Sequence, residues 1–435
     1  MTGKSGTLST LKCAAITSTV LLAATAARAD MMPAPTVESL TTCDITDTET
    51  IKVGIMAPMT GPTAADASDY SRAAGIAIEE INAAGGVCGK DKRYMLEIVE
   101  ADATEMRNDA VVTAFRRLNS TEDLNVILTP YASTSNFEID LMAQENMPYL
   151  ISGGAESTKA IIEKDPDKYP TVWSRVPDYS GYFTDLPPLL NKLIDAGDLT
   201  VPAKTVYIIG SDDPYGTTIA TGLARVFKEV GWEVVGEETV PFQSVTDWRT
   251  QIAKIREVNP AVIVNTEWSA SGSATFFNQF FEQPTESLVF LQYAPSIPEF
   301  QTVTRNQAVG VMYNMLGGAI DSRDDTKAIS AKFAEKYGPG GYFSVAGYNA
   351  AQLYALCINQ GNDPADRLAI GACFGNLDVD TPSGRLAFDP ATHLAKQGDD
   401  YMPTLFYQLQ EDGKPALIAP EAVAQAPFLT SPWAE

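Results

Sequence analysis

One order of segments occurs twice along this chain, and that duplication limits its fold more than any other feature. The apolar run at 51–57 reads as a buried strand. After a turn-rich stretch, Tyr70, Ala73, Ala74, Ala77 and Ile81 recur at helical spacing until Gly85-Gly86 stops the helix. A strand at 94–100, a helix face marked by Met106, Ala110, Ala114 and Leu118, and a strand at 125–129 complete β-α-β-α-β. The second copy starts with a strand at 205–210 and a helix carrying Ile219, Leu223, Val226, Phe227 and Val230. A strand at 232–237, a helix with Trp248, Ile252 and Ile255, and a strand at 261–265 follow. Strands alternating with amphipathic helices make parallel sheets covered by helices. The expected class is therefore α/β, as two doubly wound, Rossmann-like lobes.

In such sheets a ligand sits beyond the carboxyl ends of the strands. The loops to watch are 60–66, 130–135, 153–157, 212–216, 266–271 and 292–296. Composition narrows what they can do. Acidic residues outnumber basic ones 55 to 31, so a polyanion is a poor partner and no nucleic acid is expected. The single histidine, His393, argues against histidine catalysis and most zinc sites, and is expected as a surface or capping residue. Neither G-x-S-x-G, a P-loop nor H-E-x-x-H occurs. These absences argue against an enzyme, and no metal and no cofactor are expected.

The amino end reads as an export signal. Lys4 and Lys12 precede an apolar stretch at 14–26, and Ala27-Arg28-Ala29 is an A-x-A site, so cleavage is expected after Ala29. Cys13 lies before the apolar stretch, which argues against a lipid anchor. Export places the remaining four cysteines in an oxidising compartment, where three pairings are possible. Cys43 just precedes the first strand and Cys88 just follows the first helix, while Cys357 and Cys373 flank a short polar segment. Pairing neighbours gives Cys43–Cys88 and Cys357–Cys373, with buried thiols as the alternative.

Beyond these patterns, the chain resembles the periplasmic solute-binding proteins of the branched-chain amino-acid and amide type, which serve ABC importers. The resemblance rests first on Ile51-Lys52-Val53-Gly54-Ile55, Met59-Thr60-Gly61-Pro62, Ala73-Ala74-Gly75-Ile76-Ala77 and Ile81-Asn82-Ala83-Ala84-Gly85-Gly86. It continues with Asp102, Pro130-Tyr131-Ala132-Ser133 and Tyr149-Leu150-Ile151-Ser152-Gly153-Gly154-Ala155. Asp213-Pro214-Tyr215-Gly216 and Gly347-Tyr348-Asn349-Ala350 complete it. It covers essentially the whole exported chain. The resemblance implies the type I periplasmic binding protein fold: two lobes, three crossovers, a ligand in the cleft and hinge closure around it. Crossovers are expected near 174–177, 295–299 and 381–384, giving a leader at 1–29 and an extension at 30–50. Lobe 1 would then comprise 51–174 plus 299–380, and lobe 2 would comprise 175–298 plus 381–435.

The resemblance also implies ligand contacts. Ser133 matches a serine that hydrogen-bonds a ligand carboxylate, and Gly154, Ala155 and Glu156 match a segment that does likewise. Tyr215 and Trp268 match aromatic positions of the second lobe that cover the ligand, and Tyr131 and Tyr293 are further aromatic candidates. The chain departs from the pattern after the strand at 288–292. Amino-acid binders often place there an acid for the ligand ammonium, but here the chain reads Tyr293-Ala294-Pro295-Ser296. Asp66, Glu156 or Glu267 would take that role, or the ligand lacks an ammonium. The expected function is capture of a small polar organic solute, amino-acid-like, amide or carboxylate, by a periplasmic monomer that delivers it to permease subunits. A soluble ligand sensor of the same fold, signalling to a separate partner, is the alternative.

Overall fold

Each copy of the repeated order forms a parallel sheet. The structure, a computed structural model, describes residues 31–434 apart from Pro62, Glu122, Thr134, Gly154 and Asn306. The expected export signal and the cleavage site before Asp30 lie outside the described residues.

The first sheet has the order β2-β3-β1-β4-β5-β6. Its strands are β1 (Thr48–Ala57), β2 (Val87–Cys88), β3 (Arg93–Asp102), β4 (Leu124–Thr129), β5 (Tyr149–Ile151) and β6 (Val172–Ser174). All pairings are parallel except the short β2 edge. Val53, Ile55, Met56 and Ala57 are fully buried, as expected where helices cover both faces of a sheet. The helix Ala64–Ala83 packs on the helix Phe343–Asn359. Their approach needs Gly347, because a Cβ there would lie 2.0 Å from the Tyr70 carbonyl oxygen. The helix Asn108–Asn119 buries Val111, Ala114, Phe115 and Leu118; Met106 joins the same core from the turn just before the helix, and Ala110 is only partly buried.

The second sheet has the order β15-β14-β11-β10-β9-β7-β8. It contains β7 (Thr205–Ser211), β8 (Glu233–Val240), β9 (Val262–Asn265), β10 (Leu288–Leu291), β11 (Met312–Met315), β14 (Leu405–Leu409) and β15 (Pro415–Ala419). The strands β12 (Asp378–Thr381) and β13 (Gly384–Ala387) form a separate hairpin. Its Val379 and Leu386 belong to the first lobe's core.

These pairings redraw the expected lobe boundaries. The segment 299–380 does not lie wholly in lobe 1, since β11 pairs with β10 and β14 in the second sheet. Lobe 1 regains the chain afterwards, with the helices Asp324–Tyr337 and Phe343–Asn359. Nor does lobe 2 take everything after 381, because the hairpin remains with lobe 1 and only β14 and β15 join the second sheet. The chain therefore crosses between β6 and β7, between β11 and Asp324–Tyr337, and between β13 and β14. A four-residue strand has too little periodicity to declare itself, and the open edge beside β10 decides its partner.

Both cysteine pairs are bonded as neighbours. Cys43–Cys88 ties the amino-terminal segment to β2, and Cys357–Cys373 joins two helices. The extension at 30–50 is built into lobe 1: Leu40 is fully buried, Met32 bridges to Val379, and β1 already begins at Thr48. His393 is not on the surface. It is 5% exposed, stacked at 4.0 Å on Trp173, and its Nδ1 lies 3.1 Å from the Val172 carbonyl oxygen. Burial holds its pKa below the ordinary imidazole value.

Candidate functional site

The loops that leave the carboxyl ends of the parallel strands meet between the lobes. From lobe 1 come Asp66 after β1, Tyr131 and Ser133 after β4, and Ala155 and Glu156 after β5. From lobe 2 come Tyr215 after β7, Glu267 and Trp268 after β9, and Tyr293 after β10. Ala155 opens the helix Ala155–Ile162; Gly154 lies outside the described residues.

Lobe 2 contributes an aromatic wall. Tyr215 lies 5.1 Å from Tyr179, 5.5 Å from Tyr182 and 6.1 Å from Trp268, all edge to face, and Trp268 is 6.2 Å from Tyr293. Such ring pairs hold one another's orientation. Asp213 fixes two of them: its Oδ1 accepts from the Tyr215 and Gly216 amides, capping the helix Pro214–Glu229, and from Trp268 Nε1 at 3.2 Å. Phe242 stacks at 4.7 Å on Trp268. Gln292, fully buried, donates from Nε2 to Tyr215 Oη at 2.8 Å.

Tyr293 follows β10, at the position without the expected acid. Its φ of 62° and ψ of −48°, with the Ala294 amide donating to the Gln292 carbonyl at 2.6 Å, make a γ-turn of the strained kind. A bulky residue in that region costs roughly 1–3 kcal/mol. The turn allows Tyr293 Oη to donate to Asp66 Oδ2 at 3.2 Å, across the cleft. Burial raises the Asp66 pKa from its ordinary 3.8 to about 7, against the lowering effect of the Tyr293 hydrogen bond.

The polar loops of lobe 1 are spent differently. Ser133 is 2% exposed, its amide donates to Glu138 Oε1 at 2.7 Å, and its hydroxyl donates to Glu138 Oε2 at 2.5 Å. The same hydroxyl accepts from the Asn136 amide at 3.0 Å. Glu138 is fully buried, and burial raises its pKa. Asp102 accepts from the Met59 and Thr104 amides and the Thr60 hydroxyl, which holds the loop after β1 and lowers its pKa despite partial burial.

The three acids considered for an ammonium divide clearly. Glu267 is 1% exposed and its carboxylate accepts from the Gln243 and Ser269 amides, so it organises its own loop. Glu156 Oε2 accepts from the Tyr179 amide at 3.2 Å, tying lobe 1 to the first crossover. Asp66 faces Tyr293 across the cleft.

Sequence reasoning missed Tyr179, Tyr182, Tyr342 and Arg175. Tyr342 donates to the Ser152 carbonyl at 3.1 Å, and both it and Tyr293 pack against the apolar cluster that contains the stacked Tyr313–Tyr407 pair. The available signal was local: Trp173-Ser174-Arg175-Val176-Pro177 places one charge in an apolar crossover. Among the described residues, no group of histidine, cysteine or acidic side chains could hold a metal ion, and no helix is long and apolar enough to cross a membrane.

Comparison with known proteins agrees with this architecture. A protein-family model described as periplasmic binding protein matches residues 50–414. The Leu/Ile/Val-binding protein homolog 7 of Brucella abortus is 23% identical over 395 residues, 86% of this chain and 92% of the relative. The crystal structure of a putative branched-chain amino acid ABC transporter from Silicibacter pomeroyi superposes with a TM-score of 0.80 at 28% identity, covering 88% of this chain and 100% of the other. A branched-chain amino acid transporter substrate-binding protein from Streptococcus pneumoniae, solved with isoleucine, gives 0.67 at 18% identity, covering 86% and 100%. With two mainly parallel sheets whose strand ends face a shared cleft, and a family match over residues 50–414, the chain belongs to the periplasmic binding protein family.

Proposed function

We propose that this protein captures a small organic solute between its lobes in the periplasm and delivers it to the membrane permease of an ABC importer. The observation that carries the reading is convergence: Tyr215, Trp268 and Tyr293 of lobe 2 form one continuous set of rings, and Tyr293 bonds to Asp66 of lobe 1 across the cleft. Rings at a water-excluding interface bind flat or branched apolar bodies, and a few polar groups then set orientation. The favoured solute has a carboxylate or amide end and an apolar or aromatic body. Asp66 is the acid positioned to meet an ammonium if the solute carries one. Export with cleavage after Ala29 and function as a monomer belong to the same reading.

A thermal-shift screen of amino acids, amides and aromatic carboxylates, followed by small-angle scattering with each hit, tests it. The expected result is a saturable rise in melting temperature and a smaller radius of gyration with the hit, with the solute recovered unchanged. Conversion of the solute to a product at an unchanged radius would overturn it.

A further inference from the structure

The first crossover begins with a buried cation that has no acidic partner among the described residues. Arg175 is 1% exposed, yet its Nε and Nη1 have no hydrogen-bond partner among the described residues. Its guanidinium makes a long hydrogen bond from Nη2 to Ser383 Oγ at 3.3 Å and lies beside the Tyr342 hydroxyl, both neutral groups, and no ion pair to it is found among the described residues. Arginine cannot shed its charge as a buried lysine can. A guanidinium removed from water with most of its donors unmet is costly, and a counter-anion is the ordinary remedy.

Its position is as informative as its charge. The Arg175 amide donates to the Ile151 carbonyl at 2.9 Å, placing the residue beside the carboxyl end of β5, at the cleft. Ser383 Oγ in turn donates to the Gly317 carbonyl, and Gly317 packs on Val176. Arg175 therefore sits where the first and second crossovers meet the turn of the β12–β13 hairpin. The guanidinium lies close enough to Tyr70 and Tyr342 to favour their phenolates against the upward push of burial. Tyr342 connects this corner to Tyr293, since both pack against the apolar cluster that contains Tyr313 and Tyr407, and Tyr293 reaches Asp66.

We propose that Arg175 is an anion site at the hinge end of the cleft, and that it holds the carboxylate of the captured solute. The proposal rests on the solute-binding reading above and adds the chemical class and the residue that selects it. A monoanion matches one guanidinium. A doubly charged phosphate would leave excess negative charge among phenols and near Asp66. Carboxylate and guanidinium are both planar, and their paired hydrogen bonds discriminate against a neutral amide of the same shape. Because the residue stands at the junction of two crossovers, an anion bound there also braces the closed arrangement.

The test compares acids with their neutral isosteres, acetate against acetamide and benzoate against benzamide, by calorimetry and melting temperature. Wild type is expected to prefer each acid by at least roughly 100-fold, as truncation of buried charge pairs suggests. Arg175→Gln should reduce that preference to about threefold or less, and Arg175→Lys should keep part of it. Equal response to acid and amide in wild type, or to neither, overturns the proposal without needing any variant to fold. Acid preference retained in Arg175→Gln overturns it as well. The two readings fail separately. A neutral solute that closes the lobes while acids do not would refute the anion site and leave capture intact. Arg175-dependent acetate binding, with no solute of any class closing the lobes, would refute capture and leave the anion site intact.

Discussion

The two lobes share a strand-helix order but spend their side chains in opposite ways at the cleft. In lobe 1, small polar residues bond inward: Ser133 to Glu138, Asp102 to the loop after β1. Two disulfides staple this lobe, and among the described residues lobe 2 has none. Lobe 2 presents Tyr215, Trp268 and Tyr293, held by Asp213, by one another and by a strained turn. A short hydroxyl or carboxylate finds its partners within its own loop, whereas a ring is too large to satisfy locally and extends across the gap. Similar topology thus yields an internally bonded floor on one side and an aromatic wall on the other.

The largest effects should separate floor from wall. Replacing Cys43 and Cys88 by serine should destabilise lobe 1 by about 4 kcal/mol, and replacing Cys357 and Cys373 by about 3 kcal/mol, because the first pair closes the longer loop. Urea unfolding read by hydrogen exchange should show both losses in lobe 1; equal loss in lobe 2 would break the contrast. Next, Trp268→Ala should weaken solute binding by about 2–4 kcal/mol with little change in the unfolding midpoint. Calorimetry that finds unchanged affinity would remove the wall from the site.

Asp66 tests the place where the two sides touch. Its folded pKa, about 7, lies above the ordinary 3.8, so the folded protein holds an extra proton between those values. Raising the pH removes that proton, so this group's contribution to stability is fully present below about pH 4 and is lost as pH rises toward about 7. Unfolding midpoints at several pH values should show this slope in wild type and its loss in Asp66→Asn. A solute bearing an ammonium should instead bind more tightly as pH rises through the same window, by up to tenfold per unit. The smallest effect sharpens the floor: Ser133→Ala should cost about 1–2 kcal/mol of stability. A loss of affinity with no loss of stability would instead place Ser133 on the solute.

Much of the architecture was legible because it is local. Apolar runs, helical spacing and the Gly85-Gly86 stop are set by neighbours in the chain, so nearly every strand and helix in the repeated order falls where periodicity places it. Which loops line the cleft follows from the same pattern, since parallel strands put their carboxyl ends on one edge. The neighbour pairing of cysteines was legible for the same reason. Other features depend on groups distant in sequence. Assignment of β11 to the second sheet depends on an edge left open by β10, and burial of His393 depends on Trp173, 220 positions away.

The sequence by itself determined two α/β lobes, an aromatic set in the second and a missing acid after Gln292. Only the tertiary structure decided which polar groups remain available, because a carboxylate that accepts from two amides, as Glu267 does, is identical in sequence to one that faces a solute. That distinction depends on burial and on partners brought from other segments. It is why Glu267 turns inward, Asp66 meets Tyr293, and Arg175 stands buried at the hinge without a counter-charge among the described residues.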